Sequence, residues 1–237
     1  MPTLAVLPDP EPSCQSAAAT PGTGGALLAW LGMPSTPEQP RPAVVIVRHG
    51  ETEWSRTGRH TGRSDVDLTP AGERQAGQAG RLLAALLPDP CRVRVLSSPR
   101  CRAVRTAELA GYPPAELTED AAEWDYGELE GRTSAEIGER FPGWTIWDGP
   151  VPGGEHPAEV AARADRVLAR RVPEHTLLVF SHGHFSRCLA ARWLGEPVAF
   201  GRFLRLDTAA VSTLDFEHGT PAISRWNLAP LVTGVPD

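Results

Sequence analysis

The sequence predicts an α/β protein: a three-layer α/β/α sandwich with a mostly parallel central sheet and an antiparallel edge strand. Three observations lead there. Short runs of β-branched and aliphatic residues recur along the chain, separated by amphipathic stretches of helical period. Several of those stretches open with N-cap signals, so they read as helices alternating with the strands. Polar residues follow the apolar runs directly, as in sheets that hold ligands beyond their strand ends.

The first strand is Val44-Val45-Ile46-Val47, an unbroken apolar run suited to burial on both faces. Residues 70–87 follow as a helix, with Thr69 as N-cap and Pro70 at the first helical position, where a missing N–H costs nothing. Residues 93–96 form the next strand and 100–110 the helix that leaves it. Thr133-Ser134-Ala135-Glu136 fits a capping box opening another helix, and 157–171 is a further one. Residues 177–180 form a strand that runs into a helix at 184–194. The last strands, 211–216 and 222–226, lie close enough in sequence to pair antiparallel at an edge.

The chain has 237 residues, 41% hydrophobic and 22% charged, enough for one large domain with a substantial core. A net charge of −6 argues against nucleic-acid or anionic-membrane partners. No apolar run reaches membrane-spanning length and no signal sequence opens the chain, so a cytoplasmic protein is expected. Cys14, Cys91, Cys101 and Cys188 are widely spaced and fit a reducing compartment. Residues 1–42 differ from the rest. Pro2, Pro8, Pro10, Pro12, Pro21, Pro34, Pro37, Pro40 and Pro42, with Gly22-Thr23-Gly24-Gly25, predict a flexible tail before a domain at 43–230. A short helical turn is expected around residues 26–31, and residues 231–237 form a short C-terminal tail.

The chemistry-bearing residues sit at the ends of the apolar runs. Arg48-His49-Gly50 ends the first strand and brings a guanidinium and an imidazole to the sheet edge, a pairing suited to binding and attacking phosphate. Ser97-Ser98-Pro99 ends the second, and Arg100, Arg102 and Arg105 follow on a helix whose N-terminus favours anions. Ser181-His182-Gly183-His184 repeats the pattern after residues 177–180. Between them Glu123-Trp124-Asp125-Tyr126-Gly127 sets carboxylates among aromatics in a loop. Each piece alone is ordinary; together they supply a nucleophile, two guanidinium clamps, a second imidazole and a proton donor.

This order resembles the histidine phosphatase superfamily, the phosphoglycerate mutase-like proteins, over roughly residues 43–227. The resemblance implies that His49 becomes phosphorylated, that Arg48 and Arg102 hold phosphate, that Glu123 is the proton donor and that His182 is the second histidine. It also puts Ser55, Thr61, Gly62, Gly183 and His184 at the substrate. Most relatives carry asparagine where Ser55 stands. The context resembles the branch with sedoheptulose-bisphosphatase-type enzymes, implying a small sugar phosphate or bisphosphate, no cofactor and no metal. A homodimer is left open.

The chemistry has physical reasons. Arg48 and Arg102 would neutralise the ester dianion and keep His49 uncharged and nucleophilic. The other ring nitrogen of His49 needs an acceptor, expected to be a backbone carbonyl, and His182 would donate to a phosphoryl oxygen. Glu123 must hold a proton to act as acid, which Trp124, Tyr126 and the phosphate's charge would favour. His184, Arg187 and Arg63 are candidates for a second anion. Trp144 and Trp147 either shape the entrance or pack in the core.

Rival readings are weaker. Asp65-Val66-Asp67-Leu68-Thr69 imitates an aspartyl-nucleophile motif, but no strand precedes it. No cysteine has an arginine six positions later. A metal on His49, His182 and His184 would be opposed by the arginines. Cofactor-dependent mutases of the resembled family carry a longer basic insert after the glutamate motif, whereas only 52 positions separate Glu130 from His182 here. Hydrolysis is therefore expected over phosphoglycerate mutation, with a non-catalytic phospholigand-binding module as the remaining alternative.

Overall fold

The computed structural model describes residues 41–229, and its elements alternate as the sequence patterning predicts. The expected N-terminal tail up to residue 40, with its helical turn and Cys14, and the C-terminal tail lie outside the described residues.

Six strands form one sheet: β1 (Val44–Arg48), β2 (Val93–Ser97), β3 (Glu116–Leu117), β4 (Thr176–Ser181), β5 (Val211–Glu217) and β6 (Thr220–Leu228), in spatial order β3-β2-β4-β1-β5-β6. The strands β3, β2, β4 and β1 pair in parallel, whereas β5 is antiparallel to β1 and β6 to β5. The antiparallel edge is thus a hairpin two strands wide. Register brings the strand ends level: Arg48 lies opposite Ser181, and Ser97 opposite Phe180. The residues just past those ends, His49, His182 and Ser98, emerge side by side.

The helices are α1 (Glu53–Arg56), α2 (Pro70–Leu86), α3 (Cys101–Leu109), α4 (Ser134–Arg140), α5 (Pro157–Leu168) and α6 (Gly183–Trp193). Side chains alternate across the sheet, so Val45, Val47, Leu178 and Phe180 pack with Ala79 and Leu83 of α2 and Ala107 of α3 on one face. Val44, Ile46, Leu177 and Val179 pack with Val160, Ala164 and Val167 of α5 and with Phe185 and Leu189 of α6 on the other. The three layers follow from that alternation. Thr69 caps α2 by accepting from the Gly72 N–H, with Pro70 at the first turn, and Thr133 and Glu136 form the capping box of α4.

Three details depart from expectation. The helix read over 157–171 stops at Leu168, because Ala169 and Arg170 turn away and the Arg170 guanidinium ties to Glu116 and Asp120. The two-residue β3 is too short to leave a periodic signal. The helical turn α1 arises from a box in which Thr52 and Ser55 cap one another. No helix among the described residues is long and apolar enough to cross a membrane.

Candidate active site

Glycine permits the tight exit of the chain from β1. A Cβ on Gly50 would stand 2.4 Å from the Gly72 carbonyl oxygen of α2. The Gly50 N–H donates to Thr106 of α3 at 3.0 Å. His49 is thereby held at the carboxyl edge, 5% exposed. Its Nδ1 lies 2.7 Å from the Gly50 carbonyl oxygen. A carbonyl only accepts, so Nδ1 carries the proton and Nε2 keeps its lone pair. Burial, then the Arg102 and Arg48 guanidinium charges, hold this imidazole well below its usual pKa, so it stays neutral.

Arg48 donates from Nη1 to the Leu206 carbonyl oxygen at 2.6 Å. Its Nε is buried and has no hydrogen-bond partner among the described residues. A buried guanidinium N–H without an acceptor is costly unless a ligand supplies one. A Cβ on Gly183 would stand 3.4 Å from this guanidinium, in ordinary van der Waals contact.

Arg102, the second residue of α3, is fully buried and gripped from several sides. It donates to the carbonyl oxygens of Ser64 (2.8 Å), Thr61 (3.0 Å) and Gly62 (3.2 Å), and from Nε to His182 Nδ1 (3.2 Å). An arginine only donates, so His182 Nδ1 accepts and its Nε2–H donates to Ser98 Oγ at 2.7 Å. Both ring nitrogens of His182 are therefore engaged, which the sequence does not foretell. The His49 and His182 rings meet edge to face, centroids 5.2 Å apart. Burial, followed by Arg102, holds His182 well below its usual pKa too.

Glu123 caps the start of α6. Its carboxylate accepts the N–H groups of Phe185 (2.8 Å), Trp124 (2.9 Å) and His184 (3.0 Å), two of them otherwise unpaired first-turn amides. The Trp124 indole does not lie over this carboxylate as a hydrogen-bonding partner; it donates to the Glu155 carbonyl oxygen at 2.9 Å.

A cleft of about 170 Å³ is lined by His49, Arg48, Glu123, Ser55, Thr61, Gly183 and His184, with Arg187 and Leu206. Arg102 and His182 do not line it, but the His182 ring meets that of His49 and Arg102 donates to His182. All five residues expected to carry the chemistry thus converge. Two of the remaining expectations fare differently. Gly62 faces away, its N–H donating to the Glu130 carboxylate, and it lines a separate depression of about 570 Å³. Arg63 lies there as well, paired with Asp125 at 2.9 Å. Ser55 reaches the cleft, but its hydroxyl accepts from the Thr52 N–H and donates to the Thr52 carbonyl oxygen.

The same cleft is walled by a cluster in which His60 alone had no expected role. The Tyr126 hydroxyl and His184 Nδ1 share a 2.6 Å hydrogen bond. The His60 ring stands 4.8 Å from Tyr126 and 5.8 Å from His184. Burial lowers His60 to about 4, and burial with Arg187 lowers His184 well below normal. Trp144 and Trp147 back this wall edge to face against His60 and His184. Arg187 stacks on Trp147 at 4.6 Å, donates to the Gly201 carbonyl oxygen and pairs with no carboxylate among the described residues. No group of three or more His, Cys, Asp or Glu among the described residues is arranged to hold a metal ion.

Comparison with known proteins identifies relatives of this chain. The family model of the histidine phosphatase superfamily (branch 1) matches residues 44–229. An acid phosphatase of Mycobacterium tuberculosis is 44% identical over 180 residues, 74% of this chain and 87% of that protein. A sedoheptulose 1,7-bisphosphatase of Saccharomyces cerevisiae is 34% identical over 188 residues, 66% of this chain and 69% of that protein. The solved structure of a Mycobacterium tuberculosis open reading frame superposes with a TM-score of 0.73 at 41% identity, covering 79% of this chain and 97% of that one.

Proposed function

Because the chain belongs to the histidine phosphatase superfamily (branch 1), we propose that it hydrolyses phosphate monoesters of small metabolites through a phosphohistidine at His49, without a metal. One observation carries the reading. A neutral imidazole with a free Nε2 stands beside an arginine whose buried Nε has no acceptor among the described residues. An anionic, electrophilic phosphoryl group answers both needs.

In this scheme His49 Nε2 attacks phosphorus in line and the ester oxygen leaves with a proton from Glu123. A monoanionic ester carries a proton that Glu123 can relay. Water then attacks the phosphohistidine, gives its proton to Glu123 and releases phosphate, restoring His49. Arg48 supplies the forked contact to the equatorial oxygens, while Arg102, already committed to three carbonyls, contributes chiefly its charge. His182 becomes a donor to phosphate only when Nδ1 gains a proton and Arg102 Nε turns to the anion. The arginines that favour phosphate also oppose a cation.

Two features support a sugar phosphate or bisphosphate. Neutral His60 and His184 and the Tyr126 hydroxyl offer uncharged hydrogen-bonding groups to hydroxyls. Arg187, which pairs with no carboxylate among the described residues, suits a second anionic group. The test is phosphate release from a panel of phosphorylated metabolites, with His49→Ala as blank and with excess EDTA. Hydrolysis that survives EDTA and vanishes in the variant supports the reading. Activity that EDTA abolishes and zinc or magnesium restores contradicts it, as does isomerisation of phosphoglycerate outrunning phosphate release.

A further inference from the structure

We propose that Arg163, working with Glu155, is the positioning residue for the acid Glu123; this rests on the role of Glu123 proposed above. After β3 ends at Leu117, the segment to Glu123 carries one 3₁₀ turn, Glu119–Ala121, and no strand. The Ala121 carbonyl oxygen accepts from Ser181 Oγ at 2.7 Å, and four others converge on one guanidinium. Arg163 projects from α5 and is 9% exposed. Its Nη1 donates to the carbonyl oxygens of Ala122 (2.8 Å), Asp120 (3.1 Å) and Glu119 (3.4 Å), and its Nη2 to that of Glu123 itself (3.3 Å). Nε and Nη2 also clasp the Glu155 carboxylate, each at 2.7 Å.

The grip reaches the acid from two further directions. Arg163 lies 4.9 Å over the Phe185 ring, and the Phe185 N–H is the shortest donor to the Glu123 carboxylate. Glu155 accepts the Asp125 N–H at 3.0 Å, and its carbonyl oxygen accepts the Trp124 indole. The ion pair therefore holds the backbone on both sides of Glu123 and the helix start that receives its side chain. Arg163 lines the larger depression behind Glu123 and not the His49 cleft, so it acts through Glu123 and does not touch substrate. Only a planar fork with five N–H groups can serve so many acceptors at once; lysine's three donors on a point charge cannot.

The test compares Arg163→Lys, Arg163→Gln, Glu155→Gln and Glu123→Gln on p-nitrophenyl phosphate and phenyl phosphate, with urea midpoints recorded for each. A poorer leaving group depends more on a well-placed acid. In the Arg163 variants kcat/KM for phenyl phosphate is expected to fall about 10- to 100-fold, and that for p-nitrophenyl phosphate less than about threefold. The p-nitrophenol burst should grow, because water attack also slows. Glu155→Gln, which keeps an acceptor oxygen for both partners, should change in the same direction by less, and it serves if an Arg163 variant does not fold. Equal losses on both esters, or unchanged sensitivity to the leaving group, overturn the proposal. If Glu123→Gln itself shows no such sensitivity, the role of Glu123 fails; if it does and the Arg163 variants do not, only the positioning role fails.

Discussion

Lowering the pH from about 6.5 to about 5.5 is expected to destabilise this fold through its buried neutral histidines. In the unfolded chain each imidazole titrates near its ordinary pKa of 6.5 and takes up protons across that interval. In the native state His49, His182 and His184 are held well below that value, so they bind almost none. The unfolded state thus binds more protons, and stability falls as pH falls. Integrated over the interval, each such histidine contributes about 1 kcal/mol, or about 3 kcal/mol for the three together. Carboxylates titrate in the background, so the assay is a difference. Urea unfolding, followed by tryptophan fluorescence, is measured at both pH values for the native chain and for His49→Gln. The variant should lose about 1 kcal/mol less on acidification. An identical pH dependence in the two proteins would mean that His49 is protonated like an exposed imidazole, and the reasoning about its neutral state would be refuted.

Other outcomes follow from the same contacts. Glu123→Gln should lower turnover about 10²- to 10⁴-fold while inorganic phosphate still inhibits with nearly unchanged affinity, as read by steady-state kinetics. Gly50→Ala forces a methyl group against the Gly72 backbone, with 2.4 Å available to the carbonyl oxygen. It should cost about 1–3 kcal/mol in urea unfolding and displace His49. Arg187→Met should reduce kcat/KM for a sugar bisphosphate about tenfold or more relative to the matching monophosphate. Equal losses on the two would remove Arg187 from substrate recognition.

The legible part of this protein is the part in which local chemistry and tertiary role coincide. The apolar runs at 44–47 and 177–180 read as buried central strands, and the polar residues after them emerge at one edge. That placed Arg48, His49, Arg102 and His182. Thr69 and Thr133 announced their helices because a cap is a local event. Nothing local foretells that the Gly62 N–H is taken by a carboxylate 68 residues away, that of Glu130. The Ser55 hydroxyl is engaged by a cap that sequence spacing alone did not reveal. Leu206, which acts through its carbonyl oxygen alone, left no side-chain signal, and Ser98 stood out only as part of the strand end, not as the partner of His182. Arg163 carries no local signal of its role, since the carbonyl groups it serves lie about 40 residues away along the chain. The wall of His60, Tyr126 and Trp144 is likewise assembled from separate loops.

The most direct measurement is acid-stable or base-stable recovery of the phosphoryl group after rapid quench with a labelled substrate, followed by peptide mapping. A phosphoramidate on His49, labile to acid and stable to base, present in Glu123→Gln and absent from His49→Ala, is the result predicted here. Label on a serine, aspartate or cysteine, or turnover with no covalent intermediate in either protein, would contradict it.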